Sequence, residues 1–77
     1  MLNPYQMRMA RAALGWGMRD LAARTELTPG TIARIEGGKE AMAASLRKIE
    51  QAFMEAGIDF QDEYTVSCRR VAELAQK

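Results

Sequence analysis

Proline and glycine divide this chain into short pieces. Asn3-Pro4 and Thr28-Pro29 each place a capping side chain directly before a proline. Asn and Thr satisfy free N–H groups at a helix start, and proline suits the first helical position because no N–H is needed there. Gly15, Gly17, Gly37, Gly38 and Gly57 stand where runs of helical spacing stop. No segment between these marks approaches the ~20 apolar residues of a membrane helix. The chain is therefore expected to fold as a set of short helices.

The first helix is predicted to start at Pro4, with Met7, Ala10 and Leu14 on one stripe and Gly15 as its end. Arg11 falls on the same stripe, and a charge there requires an acidic partner. Trp16, between two glycines, is expected to plug the core. A second helix is predicted over Met18–Thr25, with Met18, Leu21, Ala22 and Thr25 on one side and Asp20 in the first turn, where negative charge suits the helix dipole. A third runs from Pro29 to Glu36. Ile32 and Ile35 face inward, Pro29, Gly30, Ala33 and Arg34 face outward, and Gly38 is the expected left-handed cap. In the fourth, Met42, Leu46, Ile49, Phe53 and Ala56 form one apolar stripe that Gly57 ends, although its start carries no good cap.

The remainder reads two ways. Ile58-Asp59-Phe60 and Tyr64 to Arg69 alternate like two strands with a turn at Gln61-Asp62-Glu63. Cys68, Val71, Leu74 and Ala75 also fit helical spacing. The favoured reading is a short hairpin, with a frayed or weakly helical end from Val71. The expected fold class is thus mainly all-α: four to five short helices, with a short C-terminal β-hairpin.

Composition narrows the function. The 77 residues are 48% apolar, but 13 of them are alanine. Such a chain fills one small core and is expected to draw stability from a second copy or partner. Histidine is absent and Cys68 is alone. That excludes a disulfide framework, most zinc sites and triads that use histidine as a base. Cys68 is expected to act as a small buried hydrophobe in a reducing compartment. Met7, Met9, Met18, Met42 and Met54 read as core or interface filler. Glu50 and Glu55, five positions apart, sit poorly on one helical face, so no acid–base pair is expected and no enzyme. No cofactor or metal is implied. The N-terminus lacks the charged start and roughly 7–15-residue apolar stretch of a signal peptide, so a cytoplasmic protein without membrane association is expected.

The net charge of +1 hides an asymmetry. Residues 1–39 carry six basic against three acidic side chains, and residues 40–77 five against seven. A polyanion would meet the first half. There, two helices of about eight residues joined by a short turn match a helix-turn-helix. The outward face of the second is small at Pro29, Gly30 and Ala33 and carries Arg34, a residue type that bonds guanine O6 and N7 bidentately.

The run Leu21–Lys39, with Arg11–Trp16 before it and Leu46–Phe53 after it, resembles the phage-repressor/Cro (XRE-type) helix-turn-helix family. Ala56–Phe60 is similar to small members that close with an extended segment. Apolar positions, caps and glycines match in register over about residues 5–60. The resemblance implies a DNA-binding domain over residues 1–60, with residues 61–77 as a dimerisation or partner-binding extension of the same domain. It implies a homodimer on double-stranded operator DNA, nucleoid-associated when bound, with half-sites about one helical turn apart. Base-reading positions carry over to Pro29, Gly30 and Arg34. Thr28, Thr31 and Lys39 match positions that hold phosphate or flanking bases. Arg11 and Glu36 match a structural ion pair.

Three departures stand out. The second helix begins Gly17-Met18 where the family often has Ser-Gln, so a phosphate contact is lost or passes to Arg19. Glu26 stands where the turn usually has glycine. Pro29-Gly30 offers almost no side-chain hydrogen bonding, so reading falls to Arg34, Thr31 and DNA shape. Arg24 is either a phosphate contact or the i+4 partner of Asp20. The dimer interface is expected at Phe53, Ile58, Phe60, Tyr64 and Val66, which exceed what one small core needs. A repressor is the leading expectation. The alternatives are the antitoxin of a toxin–antitoxin pair, with its toxin on residues 58–77, and a protein adaptor that binds no DNA.

Overall fold

The computed structural model describes residues 2–62 and 65–68. Its elements are α1 (Pro4–Leu14), α2 (Met18–Thr25), α3 (Pro29–Glu36), α4 (Ala43–Glu55), β1 (Ile58–Asp62) and β2 (Thr65–Cys68). The protein is a small, mainly helical bundle closed by a two-stranded antiparallel sheet.

The first three helices start where local chemistry dictates. The Asn3 Oδ1 accepts from the Gln6 N–H at 2.8 Å, and the Gln6 Oε1 accepts from the Asn3 N–H at 2.9 Å. This reciprocal box satisfies two donors at the start of α1 and explains why Gln6 is buried at little cost. At α2 the cap is Gly17, which has no side chain, and Asp20 compensates by accepting from the Gly17 N–H at 2.8 Å. At α3 the Thr28 hydroxyl accepts from the Thr31 N–H at 3.2 Å. Gly38, at φ 88°, takes the left-handed position after α3.

The end of α2 differs chemically from the others. The Leu27 N–H bonds back to the Ala22 carbonyl at 3.1 Å, which requires a left-handed residue between helix and turn. That residue is Glu26, at φ 59°. Its Cβ crowds the backbone in a way glycine avoids.

The core is one cluster. Met7 and Ala10 of α1, Leu21 and Ala22 of α2, Ile32 and Ile35 of α3, Ile49 and Phe53 of α4, and Ile58 of β1 are all buried. Phe53 is its centre. The Trp16 ring stacks on it at 5.8 Å between centroids, and Phe60 meets it edge-on at 6.1 Å.

Several expectations are corrected by this packing. Met42 lies outside the α4 stripe and is 75% exposed, because it is the N-cap of α4 with extended backbone and so is off the helical period. Phe53 and Ile58 are 0% and 4% exposed, so neither offers surface to a dimer. The aromatic stack and the turn after α4 consume the apolar area that looked surplus in sequence.

In the hairpin, Ile58 pairs with Cys68, Phe60 with Val66 and Asp62 with Thr65. Gln61 is the extra residue of a bulge, which carries β1 to Asp62, so Gln61 and Asp62 belong to the strand and not to the turn expected at Gln61-Asp62-Glu63. Cys68 thus ends a strand rather than beginning a helix. β2 lies against α1, so this strand belongs to the same packed unit. Phe60 and Val66 are half-buried against the core. Tyr64 and the end from Val71 lie outside the described residues, as does the Cys68 side chain.

Glu26→Gly is expected to raise unfolding stability by about 0.5–1 kcal/mol, since relief of the left-handed strain exceeds the added chain entropy of glycine. A urea titration checks this, and a lower midpoint would contradict the account of the turn.

Candidate nucleic-acid interface

α2, a three-residue connection and α3 form the unit on which the site is built. Ile32, Ile35 and Glu36 turn inward and are buried. Pro29, Gly30, Ala33 and Arg34 are left exposed on the opposite side. The inward residues fix the helix on the core, and the outward ones make a face almost without bulk. A Cβ built on Gly30 meets nothing closer than the Thr28 Oγ1 at 3.9 Å. Glycine is therefore not required at this position by packing.

Hydrogen-bonding capacity on this face is limited. Thr28 is exposed and Thr31 half-buried, and their hydroxyls bond each other at 3.0 Å. Arg34, by contrast, has no ion pair or hydrogen bond to its guanidinium among the described residues. It sits in the last turn of α3, where the dipole favours positive charge. Lys39 is exposed just beyond α3, and Arg19 is exposed in the first turn of α2. A cleft of about 360 Å³ adjoins the face, with Thr31, Arg34, Ile35, Glu40 and Met42 in its wall.

The two remaining sequence-derived residues meet behind this face. The Arg11 Nε donates to one Glu36 carboxylate oxygen at 2.6 Å, and its Nη2 to the other at 2.7 Å. Its Nη1 donates to the Trp16 carbonyl at 3.1 Å. The side chains are 19% and 4% exposed, so the pair is shielded and bidentate rather than a solvated surface contact. The hydrogen bond from Arg11 to Glu36 raises the Arg11 pKa above its ordinary value, burial opposes this, and the Glu36 charge assists. Arg11 is thus positive at any pH used for binding, and the expected structural ion pair is present.

Two further cations make contacts that sequence spacing does not show. Arg24 makes no pair with Asp20, which is occupied in capping Gly17. Its guanidinium lies over the Trp16 ring at 4.2 Å instead, extending the aromatic stack to the surface. Sequence spacing favours the i, i+4 partner and gives no sign of a ring arriving from the preceding loop. Arg8 was not singled out from sequence. Its Nη2 donates to the Glu36 main-chain carbonyl at 2.6 Å. The available signal was its position three residues before Arg11, which puts both on one side of α1.

Among the described residues no group of His, Cys, Asp and Glu is placed to hold a metal ion, and no helix is long and apolar enough to cross a membrane. No protein-family model matches the chain, and no curated protein does either.

Glu36→Ala removes one partner of a shielded pair and is expected to cost about 3 kcal/mol. Replacing both residues, as in Arg11→Met with Glu36→Leu, should recover most of that loss. Equilibrium unfolding of the three variants checks this. Equal stability of Glu36→Ala and wild type would show that the pair does not hold α3.

Proposed function

We propose that this chain is a sequence-specific DNA-binding transcriptional regulator, most simply a dimeric repressor, of the phage-repressor/Cro type. The observation that carries the reading is the outward face of α3. It is narrow at Pro29, Gly30 and Ala33, bears an Arg34 whose guanidinium has no partner among the described residues, and belongs to a helix anchored from behind by Arg11. B-DNA's major groove admits a helix of this kind, and an arginine there selects guanine by two parallel hydrogen bonds.

Arg19, exposed in the first turn of α2, and Lys39, exposed just beyond α3, are the phosphate contacts of the proposal. Thr28 and Thr31 serve the helix start first and reach flanking groups only through what their mutual bond leaves free. With so few readers per chain, affinity and selectivity require two copies on a pseudo-palindrome. Of the described residues proposed for the dimer contact, Phe60 and Val66 remain available to it, since Phe53 and Ile58 are interior. The role is binding, in the cytoplasm, without a cofactor and without catalysis.

Selection from random duplexes followed by sequencing tests the reading, with Arg34→Ala run in parallel. The expected result is a palindromic motif whose guanine preference falls by about 10–100-fold in the variant. No enrichment at moderate salt sinks the proposal for this chain. A chain that enriches nothing but retains a protein from its own cell belongs to the adaptor class.

Gly30→Ala offers a second check, because the fold tolerates it. The substitution is expected to raise stability by up to about 1 kcal/mol through helix propensity. It should weaken DNA binding by placing a methyl group where the groove approaches. Unchanged affinity would mean that nothing comes close to Gly30.

A further inference from the structure

We propose that Arg8 is a positioning residue of the DNA-reading helix, holding the C-terminal end of α3 through its backbone and so directing its charge to the protein's own main chain. The inference rests on the DNA-binding reading above. Arg8 is exposed on α1, within the basic half of the chain. A charge count alone makes it a phosphate contact equal to Arg19 or Lys39.

The geometry points elsewhere. The Arg8 Nη2 donates to the Glu36 carbonyl at 2.6 Å, a short, charge-assisted bond. That carbonyl is the last of α3 and carries the negative end of its dipole. The Arg8 guanidinium also lies near the Tyr5 ring, at 5.8 Å from its centroid. Arg8 and Arg11 thus grip one residue, Glu36, by its backbone and its side chain respectively. The two contacts constrain different motions. The carboxylate bond fixes where Glu36 sits, and the carbonyl bond fixes how the helix end is rotated about it. Arg34 is two residues earlier in the same turn, so that rotation aims the base reader.

A positioning role and a phosphate role differ in salt dependence. Each phosphate neutralised on duplex DNA contributes about 0.9 to the slope of log K against log salt. A residue that never touches phosphate contributes nothing to it.

The experiment measures binding of wild type, Arg8→Ala, Arg8→Lys and Lys39→Ala across a salt series. The probes are the duplex selected by the wild type and one unrelated duplex. Lys39→Ala, the phosphate comparator, should weaken both probes alike and reduce the slope by about 0.9. Arg8→Ala should keep the wild-type slope and the wild-type affinity for the unrelated duplex. Its affinity for the selected duplex should fall by about tenfold. Arg8→Lys keeps the charge but loses the planar group that reaches the carbonyl over Tyr5, so it should show the same pattern in weaker form. It also serves if the alanine variant does not fold.

A slope reduced by about 0.9 in Arg8→Ala and restored in Arg8→Lys overturns the proposal and makes Arg8 a phosphate contact. Wild-type behaviour of both Arg8 variants overturns it as well, since the clamp would then aim nothing. Either result leaves the DNA-binding reading standing. If the wild type does not distinguish the two duplexes, the DNA-reading role fails, and the positioning role fails with it.

Discussion

The Arg11–Glu36 pair is the constraint on which the arrangement of the helices depends. It joins the last turn of α1 to the last residue of α3, and a third bond from the same guanidinium fixes the Trp16 carbonyl in the loop between α1 and α2. A domain this small has little apolar area with which to set helix angles. A bidentate contact sets them by direction, which hydrophobic burial does not. Once the loop is held, Trp16 can lie on Phe53, and Arg24 can lie on Trp16. The core and the outward face of α3 are therefore two sides of one anchored helix.

The same chemistry divides the basic residues of the N-terminal half. Arg8 and Arg11 are engaged on Glu36, and Arg24 on an indole ring. Arg19, Arg34 and Lys39 have no such contact among the described residues. A net charge cannot express this division, because it counts an engaged donor and a free one alike. The proposed interface is smaller than its composition suggests, with one cation on α3, one just beyond it and one at the start of α2.

Much of the helical layout was legible because it rests on local rules. Asn3-Pro4 and Thr28-Pro29 start helices, and Gly15 and Gly38 end them in the left-handed conformation. Periodicity put Arg11 on a buried stripe and so required an acid, but only family resemblance named Glu36. What the sequence hid was non-local. Arg24 chose a ring over the acid four residues away. Gln61 became a bulge, a choice made by the partner strand. Met42 matched the α4 period and still fell outside the helix, since no capping side chain marks the start. Phe53 and Ile58 looked like surplus because the stack that buries them combines a loop, a helix and a strand.

Glu26 has a consequence that reaches beyond its own turn. Glutamate and glycine codons differ at a single base, so the unstrained form of this turn is one nucleotide change away. Stability of about 1 kcal/mol is a substantial share of what a domain of this size possesses. The chain therefore lies next to a more stable relative in mutational space, reached without disturbing the outward face of α3. Substitutions on that face that loosen the helix have a compensating step close at hand, and the turn is where the fold can acquire tolerance for them.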